Sequence, residues 1–435
     1  NDNVAVGNNA LDANTTGAQN VALGYNTLGA NISNSSNTAI GHKALEANTA
    51  DNNTAVGREA LQDTTTGGSN TAMGYKAGNS NTTGDANTWI GYDAGEENTT
   101  GGSNTAVGHS ALREVTTASK NTAVGRSAAA NISTSHNVTA LGWYALADVT
   151  GSGVNESVFI GAEAGRYADS ADKSVCIGFK AGKSITGGDD FVAVGYQALG
   201  TSSGVTGQSC TAVGAFALED NTSGEHNAAF GKGSMQQNTT GDKNVAVGNY
   251  ALNVNTAGHQ NVAVGYNALD SVTDGDNNTA VGYDAGDTTT TGNNNTSIGY
   301  NAEPSSTTVS NEITLGNTSN DNLRCNDTSI SSLSDRRDKT DIVDLPAGLD
   351  FINTLQPRRF KWETRDGNIK DGKIRAGFIA QELQSAQENY KYLDLVMENN
   401  PERLEAKQEH LVPVLVQAIK ELSAEVEQLK AQINN

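Results

Sequence analysis

A serine and a lysine lie five residues apart in the stretch SDRRDKTDI, at Ser334 and Lys339. A serine hydroxyl is a weak nucleophile until a base removes its proton. Lysine serves as that base when burial or nearby positive charge disfavours its protonated form. The two arginines between these residues supply positive charge, whereas the two aspartates act in the opposite direction. The spacing alone is better explained by a solvated charged turn, so the residues by themselves favour that interpretation over a catalytic pair.

The chain before this stretch repeats one phrase through residues 1–316, as in NVAVGYNAL from Asn261 and NTAVGYDAG from Asn278. When the copies are aligned on the glycine that follows an apolar residue, fifteen of the eighteen spacings are 17 residues, one is 16 and two are 19. A fixed short period of this kind predicts a solenoid of stacked coils. The repeat glycines are Gly7, Gly24, Gly41, Gly57, Gly74, Gly91, Gly108, Gly125, Gly142, Gly161, Gly178, Gly195, Gly214, Gly231, Gly248, Gly265, Gly282, Gly299 and Gly316.

Each coil is predicted to contain two short strands and two turns, because 17 residues are too few for a pair of helices. The residues before each repeat glycine alternate in the manner of a strand, and the glycine permits a tight corner or a close backbone approach. Stacked at about 4.8 Å per coil, the repeats make a rod of roughly 90 Å. We expect the alanine-rich strand face to pack against a neighbouring chain, which predicts an oligomeric rod.

The repeat also resembles a known family. NVAVG (Asn3–Gly7) and NTAIG (Asn37–Gly41) are similar to the NSVAIG-like motif of the head repeats of trimeric autotransporter adhesins. That resemblance implies a trimeric parallel β-roll over residues 1 to about 316, although the period of this chain is longer than that of the family.

The last hundred residues have a different composition and a helical periodicity. LQPRRFKW (Leu355–Trp362) and AGFIAQEL (Ala376–Leu383) follow the SDRRDKTDI stretch, and a helix is predicted over about 408–435. The apolar residues of this helix alternate spacings of four and three, which is a heptad seam. An amphipathic helix that docks on its own domain is the alternative explanation. The predicted seam residues are Leu415, Ile419, Leu422, Val426, Leu429 and Ile433.

Together these segments resemble the C-terminal intramolecular chaperone domain of phage tailspikes, endosialidases and long tail fibres. The resemblance implies a domain that trimerises, aligns three chains in register and then cuts itself off with a Ser–Lys dyad in an S-D-x-R-x-K motif. In this chain the motif corresponds to Ser334 and Lys339 as the catalytic pair, with Asp335 and Arg337 as supporting residues. The scissile bond implied by the resemblance lies between Leu333 and Ser334.

The predicted fold is therefore mainly β. It comprises a trimeric parallel β-roll or solenoid of about 17-residue coils over residues 1–316, a connector over 317–333, and a small α+β chaperone domain over 334–435 that ends in a coiled-coil helix. The predicted function is that of a structural and receptor-binding segment of a phage tail fibre, synthesised in the host cytoplasm and carried on the virion. The only enzyme activity expected is an intramolecular serine autoprotease, with no external substrate, cofactor or metal.

The expected partners are two further copies of the chain in a homotrimer, other tail-fibre proteins and a host cell-surface receptor, for which a glycan is one candidate. The net charge of −21, most of it in residues 1–333, disfavours nucleic acid. The sequence has no stretch of about 18 apolar residues, so no membrane span is predicted. Because the chain starts at Asn1 rather than Met, we expect it to be part of a longer or processed protein.

Other functional classes remain as alternatives. A bacterial trimeric surface adhesin with a structural, non-cleaving C-terminal trimerisation domain is the nearest, but it needs a secretion signal and a membrane anchor. An ice-binding solenoid is disfavoured because threonine is irregular three residues before the repeat glycine. A glycan depolymerase is unsupported because no pair of carboxylates can be assigned.

Several isolated residue types have a structural explanation beside a functional one. The residue after the repeat glycine is often aromatic, and the resulting column suits either a sugar-binding surface or, as we favour, a packing ladder. Acidic turns such as DGDNN (Asp274–Asn278) are expected to be solvated turns rather than calcium sites. Cys176, Cys210 and Cys325 are expected to be small fillers, and the six histidines show no ligand spacing.

Overall fold

The computed structural model describes residues 2–150, 153–200, 204–320, 334–361, 363, 372–398 and 404–434. Its first part is a parallel solenoid in which each coil contributes one three-residue strand, and each strand ends one residue before a repeat glycine. The strands are β1 (Val4–Val6), β2 (Val21–Leu23), β3 (Thr38–Ile40), β4 (Thr54–Val56), β5 (Thr71–Met73), β6 (Thr88–Ile90), β7 (Thr105–Val107), β8 (Thr122–Val124), β9 (Thr139–Leu141), β10 (Val158–Ile160), β11 (Val175–Ile177), β12 (Val192–Val194), β13 (Thr211–Val213), β14 (Ala228–Phe230), β15 (Val245–Val247), β16 (Val262–Val264), β17 (Thr279–Val281), β18 (Thr296–Ile298) and β19 (Ile313–Leu315).

Consecutive strands pair in parallel and in register, so that equivalent positions of neighbouring coils lie side by side. In β16 and β17, for example, Val262 pairs with Thr279 and Val264 pairs with Val281. The 17-residue period and the parallel stacking are therefore confirmed. We call this solenoid the shaft.

The prediction of two strands per coil is wrong, because each of the described coils contains one strand. The rest of a coil holds alternate residues in the left-handed region, such as Asn26 and Leu28 at φ of 57° and 50°, and this conformation cannot continue a strand. These turns still bond from coil to coil, as in the Lys43 amide that donates to the Tyr25 carbonyl at 2.8 Å.

The face of the strand that turns inward is the alanine face, which contradicts the expectation that alanine packs on a neighbouring chain. Ala22, Ala246 and Ala263 are fully buried, while the residues on either side of them are partly or largely exposed. A coil of 17 residues has a narrow interior. In most coils an alanine from the strand and a leucine four residues after the repeat glycine, such as Leu252, fill it.

The repeat glycines are required by both backbone conformation and stacking. Gly24 has φ of 143°, and a Cβ there would lie 2.5 Å from the Gly41 carbonyl oxygen of the next coil. The two predicted roles of the repeat glycine, a tight corner in the backbone and a close approach between the backbones of neighbouring coils, are confirmed.

Buried asparagines tie the coils together along the side of the strands. The Asn261 side chain accepts from the Asn278 amide at 2.9 Å and donates to the Gly275 carbonyl at 2.7 Å. A second column of buried asparagines bonds similarly, as where Asn255 donates to the Asn238 side chain at 2.7 Å. These bonds satisfy backbone groups that the short strands leave unpaired.

The C-terminal region is a small α+β unit with its own core. Its described elements are α1 (Leu349–Ile352), β20 (Arg358–Lys361), β21 (Ile374–Gly377), α2 (Ala380–Ala386), β22 (Val396–Met397), β23 (Glu405–Ala406) and α3 (Leu411–Ile433). Strands β20 and β21 form one antiparallel pair, and β22 and β23 form another. The core residues are Ala347, Phe351, Leu355, Leu383, Leu393, Leu395, Val396, Leu411 and Val414.

Helix α3 docks on this core through its first turns only. Leu411, Val414 and Ala418 are buried, and Glu421 accepts from the Leu349 amide at 2.6 Å. This hydrogen bond lowers the pKa of Glu421 and anchors α3 to the first turn of α1. Beyond Glu421 the described helix is exposed. Within the described residues, no helix combines the length and apolarity that a membrane span needs.

Candidate functional site

The structure brings Ser334 and Lys339 together. A single turn of 3-10 helix at Arg336–Asp338 reverses the chain between them, and the Lys339 amine lies 2.5 Å from the Ser334 hydroxyl. A five-residue separation becomes a hydrogen bond because this turn folds the two ends towards each other. This distance is within the reach that a base would need in order to take the proton of a hydroxyl.

Asp335 and Arg337 stabilise that turn through hydrogen bonds to each other. The Asp335 carboxylate accepts from the Arg337 amide at 2.8 Å and from its guanidinium at 2.6 Å. The guanidinium, and secondly the amide, lower the pKa of Asp335 below its ordinary value. The arginine of the motif is thus paired with the aspartate of the motif, and its contact with Asp335 stabilises the turn that joins Ser334 to Lys339.

The site is open to solvent in the single chain. Residues 334–344 are all exposed, and the core of the domain begins only at Ala347. Leu333, the other side of the predicted scissile bond, lies outside the described residues. The fold of one chain therefore supplies the contact between hydroxyl and amine but not the burial that favours a neutral lysine.

The other two motifs of the C-terminal region meet each other. LQPRRFKW contributes β20, and AGFIAQEL contributes the end of β21 and most of α2. The Arg358 guanidinium contacts both carboxylate oxygens of Glu382, with a shortest distance of 2.7 Å. This pair links strand β20 to α2, so the two motifs contact each other within the domain.

This arrangement can be compared with known proteins. Residues 334–392 match the family model described as the chaperone of endosialidase, and the match begins at Ser334. The C-terminal region carries a chaperone-of-endosialidase domain. Together with the solenoid of about 17-residue coils, it fits a tail fibre with an intramolecular chaperone. A search of curated proteins finds no match to the chain.

The predicted seam of α3 lies beside the face that docks on the domain, and it is exposed. Its exposed fractions range from 40% at Val426 to 81% at Ile433. The docked residues Leu411, Val414 and Ala418 lie on an arc of the helix that adjoins the arc of the seam. Docking on its own domain therefore explains the first turns of α3 and leaves the seam without a cover in one chain.

The aromatic column of the shaft is a stack of rings. Tyr266, Tyr283 and Tyr300 follow one another with centroids 5.3 and 5.5 Å apart and nearly parallel planes. Tyr75, Tyr92 and His109 form a similar run at 5.0 Å. Within such a run each inner ring face is covered by the next ring, which supports the ladder interpretation over sugar binding.

The remaining candidates have structural roles in the described residues. In the DGDNN turn, the Asp276 carboxylate accepts from the His259 amide of the preceding coil at 2.7 Å. Cys176 and Cys210 are buried in the shaft interior, and burial raises their pKa values to about 12 and about 11. Cys325 lies outside the described residues. The predictions from sequence do not include the asparagine columns, although the 17-residue spacing of these asparagines is a signal for them.

Proposed function

We propose that this chain is the shaft and chaperone of a phage tail fibre. Three copies assemble through the C-terminal domain, the domain sets their register, and the shaft then zips into a rod that carries receptor-binding surfaces on the virion. Identical coils allow slips of whole repeats, because every slipped pairing is nearly as good as the correct one. A domain that fixes the register before the shaft forms removes that error.

The observation that carries the autoprotease proposal is the Ser334–Lys339 contact within a matched chaperone domain. Lys339 takes the Ser334 hydroxyl proton, and the oxygen attacks the Leu333 carbonyl to form an ester as the peptide C–N bond breaks. The proton passes to the departing nitrogen, which becomes the amine of Ser334. Water then hydrolyses the ester, leaving a carboxylate on Leu333 and restoring the hydroxyl.

The exposure of the pair gives this proposal an order of events. A lysine acts as a base only when it is neutral, and burial or nearby positive charge promotes that state. We propose that neighbouring chains cover residues 334–339 on assembly, so that cleavage follows trimerisation. Cleavage in that order removes the domain and makes unfolding of the shaft kinetically irreversible.

The test is intact mass and light scattering on the wild type beside Ser334→Ala and Lys339→Ala. The wild type should give trimers of a shortened chain and a fragment that starts at Ser334, while both variants should remain full-length trimers. Thr340→Ala, which removes an exposed hydroxyl next to the same turn, is the matched control and should cleave normally.

Two results would contradict parts of this proposal. Full-length wild-type trimers would remove the autoprotease and favour a trimeric surface adhesin with a structural C-terminal domain. Wild-type monomers would remove the trimeric fibre itself.

A further inference from the structure

The strand side of the shaft exposes an apolar stripe along its whole length. The third residue of each shaft strand, immediately before the repeat glycine, points away from the interior and is Val, Leu, Ile, Met or Phe in every coil. We call these residues the strand strip. Its most exposed members, at 37–56%, are Val6, Leu23, Met73, Ile90, Val124, Ile177, Phe230, Val247, Val281, Ile298 and Leu315.

The strip lacks charge on a chain that is otherwise strongly acidic. None of the nineteen described shaft strands contains a charged residue, although the net charge of the chain is −21. The neighbouring column after the repeat glycine does carry charges, such as Arg58 and Lys232. Side chains of this size at this exposure amount to roughly 1,000 Å² per chain, beyond what a monomer normally exposes and near one side of a stable interface.

We propose that the strand strip is the surface through which copies of this chain meet, with three parallel shafts turning their strips towards a common threefold axis. This inference rests on the proposed trimeric fibre and assigns its interface. Another copy is the occupant because it has the same coil spacing along the whole shaft, so each strip residue meets its own counterpart. Strip against strip also brings no like charges together, unlike the columns beside it.

The first experiment adds charge to the strip. Val247→Asp/Val281→Asp places two carboxylates at positions that are 40% and 41% exposed in the single chain. Burying them at a threefold axis leaves six unpaired charges together. The concentration at which half the trimers dissociate, measured by light scattering, should rise by at least about 100-fold.

The matched control adds the same charge to the opposite side of the same stretch of coils. Thr240→Asp/Thr291→Asp uses two exposed positions in a column where Asp274 already occurs. This variant should dissociate within about threefold of the wild type, because an exposed charge changes association little. Circular dichroism of both variants establishes whether each chain keeps its fold.

A cross-linking experiment tests the interface without destabilising it. It uses a Cys325→Ser background, so that the native cysteines that remain are the two buried in the shaft interior. In this background Val281→Cys should join two chains when treated with a short bismaleimide, whereas Thr291→Cys should not. Covalent dimers at Val281→Cys together with dissociation of the charged strip variant would establish the interface.

The experiments distinguish an incorrect interface from an incorrect trimeric fibre. A wild-type trimer that keeps its stability in Val247→Asp/Val281→Asp and cross-links at Thr291→Cys overturns the strip interface while leaving the trimeric fibre intact. Wild-type monomers overturn both.

Discussion

At the scale of single residues, Glu303 departs from the pattern of the coil interior. It stands four residues after Gly299, the position that leucine fills in most other coils. Its carboxylate accepts from the Thr288 hydroxyl at 2.5 Å and from the Asp287 amide at 3.1 Å. Burial, with a smaller contribution from Asp287, raises the pKa of Glu303 to about 7.

The raised pKa predicts that the end of the shaft loses stability as pH rises. The folded state holds a proton on Glu303 between its unfolded pKa of 4.5 and its folded pKa of about 7, whereas the unfolded chain does not. The contribution to stability is therefore complete below 4.5 and lost by about 7. Relative to the wild type, the free energy of unfolding of Glu303→Gln should be about 1 kcal/mol higher at pH 8 than at pH 5, after a discount for solvent screening.

Thermal melting of the two proteins at both pH values measures this gain. Glu97→Gln, at an exposed carboxylate, is the control for the loss of one charge. An equal difference in Tm at pH 5 and pH 8 for Glu303→Gln would contradict the assignment.

At the scale of the coil, two positions share one interior volume. Where the middle residue of a shaft strand is large, the position four after the repeat glycine is glycine. Trp89 lies against Gly78 and Gly95, and a Cβ at Gly78 would come within 2.5 Å of the indole. Phe159 stands in the same relation to Gly165. In these two coils the larger strand residue therefore occupies volume that a leucine fills elsewhere.

This exchange predicts a rescue between two destabilising substitutions. Trp89→Ala should cost about 3–5 kcal/mol through the cavity it leaves. Gly95→Leu alone should also destabilise, because its side chain would overlap Trp89. The double variant recreates the alanine–leucine interior of the regular coils, so it should melt above both single variants. A double variant that melts below Trp89→Ala would refute volume exchange.

The coil also shows how far the sequence predicts this fold. The period, the strand before each glycine and the role of the glycine follow from short-range pattern and are confirmed. The buried face was misjudged, because alternation distinguishes two faces without saying which is inside, and alanine suited either role. The sequence does contain a signal, because the middle position holds Trp89 in one coil and a tryptophan is usually buried. Its indole is fully buried in the structure. The Ser334–Lys339 contact depended on a single turn whose motif was recognisable by resemblance.

At the scale of the whole molecule, we assign assembly of the trimer to the seam of α3 and stability of the finished trimer to the strand strip. The seam of α3 lies C-terminal to the proposed cut, so a cleaved shaft no longer contains it. The strand strip lies within β1–β19 and stays with the shaft. The seam should therefore govern how many trimers form, whereas the strip should govern how stable they are afterwards.

Disrupting the seam tests this division. Leu422→Ser/Leu429→Ser removes two exposed apolar residues from the seam, and the yield of soluble trimer should fall by at least about tenfold, because register is no longer fixed before the shaft zips. The few trimers that form should melt at the wild-type temperature. Glu425→Ser/Gln428→Ser makes the same change in helix propensity at exposed positions off the seam and should leave the yield unchanged. A normal yield from the seam variant would place register selection elsewhere in the domain, and a lowered Tm of its mature trimers would show that the seam also contributes to the finished fibre.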